Sequence, residues 1–257
     1  MGVRVASSSL LTPADPAPVE LVNGESDAPV LLLCEHAGNE VPAALGDLGI
    51  SEEILASHRG YDIGAESVAR ALADMLKAPL ILQRYSRLVI DANRPPSSAQ
   101  SILEVSDGAH IPGNRDLAAA HRQARVSEIF EPMDKAIQDG FASHERRAAI
   151  SIHSFTPQLG DECRPWHAGF LSRRSLVTAE HLMASVTGQA PDLKLALNKP
   201  YQIEDATDWF IPRHAEPRAL PHCLIEIRND QIRTGEQATR WASMLAEAIH
   251  KLPETWP

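Results

Sequence analysis

The sequence is poor in cysteine: 257 residues contain three, Cys34, Cys163 and Cys223. They form no CxxC pair and no even disulfide set, so a disulfide framework is excluded and a reducing, cytoplasmic location is expected. All three are expected in or near the core. Long apolar runs are also missing. The longest, residues 28–33, is broken by Pro29 and falls far short of a membrane-spanning helix. Positive charge is in deficit, with 24 Lys and Arg against 34 Asp and Glu and a formal net charge of −10. Nonspecific binding to nucleic acid or a membrane surface needs clustered positive charge, so neither partner is expected. A local basic pocket remains compatible with that balance. The N-terminal stretch has one arginine and no apolar core, so it does not read as a secretory signal. Its Met-Gly start lacks a second anchoring feature. No GxSxG elbow, phosphate loop or dinucleotide fingerprint occurs.

What is present belongs to a globular α/β protein. Hydrophobic residues make up 44% and charged residues 23%, which excludes a disordered chain. The chain reads as a single α/β domain over 1–257, with 1–27 an extended lead-in carrying an edge strand. Apolar runs at 29–34, 79–82, 87–91, 148–153, 166–171, 193–197 and 222–228 predict strands. Apolar spacing of three and four predicts a helix from Gly64 onward, through Ala65, Val68, Ala69, Leu72, Met75 and Leu76. A long helix over 116–143 should kink near Pro132. Further helices are expected over 175–187 and after Thr234, where Gln237 three residues on gives a capping-box spacing. Residues 95–114 and 198–221 read as long irregular segments. Alternation of strands and helices predicts a three-layer α/β/α arrangement with a mixed, mostly parallel sheet.

Ligands of open α/β sheets collect beyond the carboxyl ends of the strands. Four predicted strands end in polar or ionisable residues: at Glu35-His36, at 91–94 (DANR), at His153, and at 226–230 (EIRND). Two strand-end histidines beside carboxylates suggest a metal. Hydrolytic zinc sites keep three protein ligands, often His with one carboxylate, plus water. His36 and His153 are the best pair, and either Asp62 or Glu40 supplies the carboxylate. Glu226 lies in an apolar strand, where a carboxylate is expensive to bury unless paired or functional. It is the candidate general base, against the alternative of an ion pair with Arg228. The histidines at 110, 121, 144, 181, 214 and 250 read as surface residues.

These blocks together resemble the N-formylglutamate amidohydrolase family. The resemblance rests on 35–39 (EHAGN), Tyr61-Asp62, 84–96 (RYSRLVIDANRPP), 152–157 (IHSFTP) and 225–230 (IEIRND), and spans about residues 30–235. The family resemblance implies a zinc-dependent amidohydrolase on a fold like that of the zinc carboxypeptidases, the phosphorylase/hydrolase-like class. It implies that Asn93 and Arg94 grip a substrate carboxylate and that Glu226, followed by Ile227-Arg228, is the base. Carboxypeptidases carry their acidic ligand in HxxE; here that position is Asn39, so the resemblance favours Asp62 over Glu40. The expected reaction is hydrolysis of a small anionic N-acyl amino acid, N-formyl-L-glutamate, to formate and L-glutamate. One zinc ion would be held by His36, Asp62 and His153, with Arg84 or Arg87 stabilising the oxyanion. Arg87, Asn93, Arg94 and Arg228 would bind substrate. The alternatives are a related zinc deacylase or carboxypeptidase, a different divalent metal such as iron or manganese at the same ligands, or a non-catalytic binding protein on the same fold.

Overall fold

Six of the seven predicted apolar runs, joined by an edge strand from the lead-in, form one seven-stranded mixed sheet in the computed structural model, which describes residues 9–252. The first eight residues of the predicted lead-in lie outside the described residues. In chain order the strands are β1 (Val19–Val22), β2 (Val30–Cys34), β3 (Leu80–Gln83), β4 (Ala148–Phe155), β5 (Ala168–Leu171), β6 (Leu195–Leu197) and β7 (His222–Arg228). Their spatial order is β1-β3-β2-β4-β7-β5-β6. The central β3, β2, β4 and β7 are mutually parallel, while β1 pairs antiparallel with β3 and β5 antiparallel with β7.

The strands read as continuous apolar runs because both sheet faces are covered. Alternate residues enter different cores. Val30, Leu32 and Cys34 of β2, with Ile150, Ile152, Ile225 and Ile227, pack on one face. Leu31, Leu33, Ile81, Ala149 and Leu224 pack on the other. The first face is covered by α1 (Ala65–Leu76), α4 (Leu176–Gln189) and α5 (Gly235–His250). The second is covered by α3 (Glu131–Ser143), through Met133 and Ile137, and by Phe210, Ile211 and Ala215. The three-layer arrangement expected from the alternation of elements is therefore present. Helix α1 buries Ala65, Val68, Ala69 and Leu72 as their spacing requires. Helix α5 starts at the expected capping box, Thr234 with Gln237. Among the described residues, no helix is long and apolar enough to cross a membrane.

The structure corrects several local expectations. Residues 87–91 are a turn, not a strand. Leu88, Val89 and Ile90 instead pack into a third apolar cluster with Ile102, Ile111, Ile129 and Phe130. Their backbone is satisfied locally, Val89 N–H donating to the Ser86 carbonyl and Asp91 N–H to that of Ser101. The helix predicted over 116–143 is α2 (Ala119–Arg125), a π-turn (Val126–Phe130) and α3. The irregularity thus falls just before Pro132, whose ring nitrogen has no hydrogen to continue the α pattern. Cys163 is exposed, unlike the buried Cys34 and Cys223. His214 is buried, its Nε2 2.7 Å from Asp134 Oδ1.

Candidate active site

The carboxyl ends of β2, β4 and β7 bring three ionisable side chains to one place. His36 follows β2 by two residues, His153 lies near the end of β4, and Glu226 lies near the end of β7. Asp62 arrives from the loop before α1. Its N–H donates to the His36 carbonyl at 3.0 Å, tying that loop to the end of β2. Gly64 then turns the chain into α1 with φ 83°, and a Cβ there would collide with the Ile232 carbonyl oxygen, so glycine is required.

His36, Asp62 and His153 are all buried, and one ligand atom from each lies within 4.8 Å of the others. Nδ1 of His36 is 3.3 Å and Nδ1 of His153 is 2.8 Å from Asp62 Oδ2. Two further carboxylates lie on the far side: His36 Nε2 is 2.7 Å from Asp91 Oδ1, and His153 Nε2 is within ion-pair distance of Glu35 Oε2, at 3.1 Å, without hydrogen-bond geometry. A carboxylate holding the outer nitrogen of an imidazole fixes its tautomer and turns the other nitrogen's lone pair inward. Two imidazole nitrogens and a carboxylate oxygen thus converge on one point, an arrangement suited to a cation. The donor set, two imidazoles and one carboxylate, is that of a hydrolytic zinc site, and the residues present therefore fit a divalent metal.

The same carboxylates act on the charge of the imidazoles. Burial opposes charge on both imidazoles, and Arg87 adds to that opposition at His36. Asp91 and Asp62 outweigh this for His36, as Glu35 and Asp62 do for His153, so both pKa values sit above the ordinary one. Burial also opposes charge on Asp62 and Asp91, yet cationic neighbours hold both below the usual carboxylate range. His36 leads at Asp62 and Arg87 at Asp91. Glu226 differs. Burial pushes it up to about 7, and its Oε2 has no hydrogen-bond partner.

These groups line a cavity of ≈ 480 Å³. Arg87, Asn93 and Arg94 line it too, with segment 200–208 contributing Tyr201, Glu204 and Asp208. Arg87 donates to Asp91 Oδ2 at 2.7 Å and to Asp62 Oδ1 at 3.4 Å. Arg94 makes only a 4.0 Å approach to Asp91. Asn93 is engaged elsewhere: its Oδ1 accepts from the N–H groups of Trp209 and Phe210, both at 3.1 Å.

The sequence model of the N-formylglutamate amidohydrolase family matches residues 28–233. The chain belongs to that family. It is an amidohydrolase. A gene product of Agrobacterium tumefaciens has a similar structure, at 35% sequence identity and a TM-score of 0.89, over 94% of this chain and 97% of that one. An N-formylglutamate amidohydrolase from Ralstonia eutropha shares the fold at 18% identity and a TM-score of 0.69, over 91% of this chain and 96% of that one. A comparison with the curated proteins finds none that matches.

The amidohydrolase fold gathers some of the residues singled out in the sequence and separates others. His36, Asp62, Arg87, Asn93, Arg94, His153 and Glu226 share the cavity. Glu40 is exposed and stands outside the His-Asp-His group. Arg84 is not among the cavity-lining residues; it pairs with Glu20 at 3.1 Å and Glu66 at 3.4 Å. Arg228 is also absent from the lining, and it pairs with Asp230 at 2.8 Å instead of Glu226. Sequence reasoning placed Glu35 and Asp91 at strand ends without giving them a task. Their adjacency to His36 and Asn93 was the available signal. Asp208 carried no signal, since it falls in an irregular stretch without periodicity.

Proposed function

We propose that the chain hydrolyses the amide bond of an N-acyl amino acid with the help of one divalent cation, zinc being the best match to the ligands. N-formyl-L-glutamate is the reference substrate. The observation that carries this reading is the buried His36-Asp62-His153 group sharing a cavity with an unpartnered Glu226. His36, Asp62 and His153 would hold the metal, which when bound lowers the pKa of water and polarises a carbonyl.

The chain's own residues do the rest. Glu226, ionised, accepts a proton from the attacking water at a carboxylate oxygen and passes it to the leaving amine. A pKa near neutrality suits both tasks, because the group must take the proton and then release it. Arg87 anchors Asp62 and Asp91 and places positive charge where the oxyanion develops. Arg94, the less committed guanidinium, receives the substrate carboxylate. Asn93 braces the cavity wall through Trp209 and Phe210. Arg84 and Arg228, bound to carboxylates elsewhere, take no part in this scheme.

The test is metal quantitation on protein purified without chelator, together with hydrolysis assays on N-formylglutamate and close analogues. Stoichiometric metal with release of formate supports the reading. Metal-free protein that stays inactive after zinc is supplied argues for a binding protein on the same fold. Activity confined to other acyl groups argues for a related deacylase.

A further inference from the structure

The wall of the cavity contributed by segment 200–208 carries a hydroxyl that the hydrolytic scheme does not use. Tyr201 lines the cavity and is 41% exposed. Its oxygen accepts from Arg164 Nη1 at 2.8 Å, and the guanidinium carbon of Arg164 stands 4.9 Å from the ring centroid. Arginine only donates, so the phenol is the acceptor and its own hydrogen is left for another group. Among the described residues, no acceptor takes that hydrogen. The other two hydroxyls of the lining are engaged. Ser154 Oγ donates to the Ile63 carbonyl at 2.9 Å, and Thr207 Oγ1 pairs with Asp208 Oδ2 at 3.0 Å.

Arg164 is itself fixed. It is buried, its N–H donates to the Pro157 carbonyl at 2.8 Å, and its carbonyl accepts from Arg228 Nη1 at 3.2 Å. Its ion pair with the exposed Glu162 is 4.0 Å long. No close carboxylate therefore cancels the charge that faces the phenol. A cation donating to a hydroxyl oxygen polarises the O–H bond and strengthens the hydrogen bond that it offers onward. The hydroxyl also keeps its hydrogen. Burial pushes the Tyr201 pKa above the ordinary phenol value, Glu226 adds to the rise, and Arg164 offsets it only in part. Tyr201 is thus a neutral donor at any pH where Glu226 works.

Glu226 fixes where the acyl carbon of a substrate must lie. It takes a proton from the attacking water, so the carbon under attack stands one water away from its carboxylate. The oxygen on that carbon is the one that gains negative charge. Tyr201 shares the cavity with Glu226 and lies within the electrostatic reach of both Glu226 and Arg87. Its unengaged hydrogen is therefore at the reacting end of the cavity. Arg87 already gives three N–H groups to Asp62 and Asp91, whereas the Tyr201 hydrogen has no competing acceptor.

We propose that Tyr201 is a catalytic residue whose hydroxyl, oriented and polarised by Arg164, donates a hydrogen bond to the acyl oxygen as that oxygen becomes an oxyanion. The hydrogen stays on the phenol throughout, and Arg164 is a positioning residue that acts through it. The proposal rests on the hydrolytic reading above and adds a group to that same site.

The experiment measures kcat and KM of the metal-loaded protein for N-formyl-L-glutamate and its N-acetyl analogue. It compares the unaltered chain with Tyr201→Phe, Arg164→Met, Arg164→Lys and the double variant Tyr201→Phe/Arg164→Met. Tyr201→Phe removes the hydroxyl and keeps the ring. We expect it to lower kcat by about 100-fold, the scale of one oxyanion donor, with KM nearly unchanged, because the bond strengthens only in the transition state. Its metal content and melting temperature should match those of the unaltered chain. Arg164→Met should lower kcat by a smaller factor, and Arg164→Lys should recover part of that loss. The double variant should fall no further than Tyr201→Phe, since Arg164 acts through the hydroxyl. An unchanged kcat in Tyr201→Phe, or a loss confined to KM, overturns the proposal. Losses that multiply in the double variant overturn the part assigned to Arg164. Absence of turnover in the unaltered, metal-loaded chain defeats the hydrolytic reading and this proposal together. Turnover that survives undiminished in Tyr201→Phe defeats the proposal alone.

Discussion

Glu226 and His153 are register partners across the parallel pairing of β7 with β4. Side chains of paired residues point to the same face of a sheet. The proposed proton acceptor and a proposed metal ligand are therefore fixed relative to each other by backbone hydrogen bonds in the middle of the sheet. Neither depends on a mobile loop, and each strand is buried along nearly its whole length.

Glu226→Gln should lower kcat by about 100- to 10,000-fold, the range for losing a general base. Metal content should stay at that of the unaltered protein, because Glu226 lies outside the ligand group. Near-normal turnover in this variant would mean that another group takes the proton.

Asp62→Asn and His153→Ala should each lose bound metal as measured by elemental analysis. Asp62 is the stronger case. It meets both imidazoles, the Ser154 N–H at 3.2 Å and Arg87, so its loss disturbs every ligand at once. Retention of full metal in Asp62→Asn would reopen the choice of carboxylate.

Glu35→Gln and Asp91→Asn test the outer carboxylates. Each lies against the far nitrogen of one histidine, Asp91 by a hydrogen bond and Glu35 at ion-pair distance, and loss of such a partner weakens metal affinity by about 10- to 100-fold. Competition with a zinc-sensitive chelator reads this directly. Affinities equal to that of the unaltered chain would show that the imidazoles are oriented by packing alone.

Glu226 also sets an expected pH dependence. Burial pushes its pKa up to about 7, and a base works only when ionised. Activity should therefore rise with pH through that value and then level off. A bound cation favours the carboxylate and moves the midpoint below it. A profile of kcat/KM that stays flat down to pH ~5 would separate Glu226 from the rate-limiting proton transfer.

Thr234→Ala tests the fold away from the chemistry. The Thr234 hydroxyl accepts the Gln237 N–H at 3.2 Å, while Gln237 Oε1 accepts the Thr234 N–H at 3.1 Å. Removing such a cap costs about 1 kcal/mol. Helix α5 supplies Trp241, Leu245 and Ile249 to the largest core, so thermal unfolding should report the loss. Metal content and KM should not change.

Local signals determined much of the architecture. The apolar runs at β2, β3, β4 and β7 were legible because strands covered on both faces need apolar residues at every position. Helix α1 was legible from its spacing, and the start of α5 from its cap. His36 and His153 stood out because each interrupts such a run at its carboxyl end. The family blocks added Asp62, which no local pattern could raise above Glu40.

Tertiary structure decided the rest, because those choices depend on residues far apart in the chain. Asp62 reaches His153 across 91 positions, and Asn93 reaches Phe210 across 117. Arg84, Arg87, Arg94 and Arg228 look alike in sequence, but their surroundings divide them. Glu20 and Glu66 take Arg84, Asp230 takes Arg228, and only Arg87 and Arg94 face the cavity. Residues 87–91 have the composition of a strand, yet no sheet edge meets them and a third apolar cluster does. Sequence named the chemistry that this chain carries. The fold selected which copies of each residue type stand close enough to perform it, since electrostatic and hydrogen-bond contacts act over ångströms and not over positions in the chain.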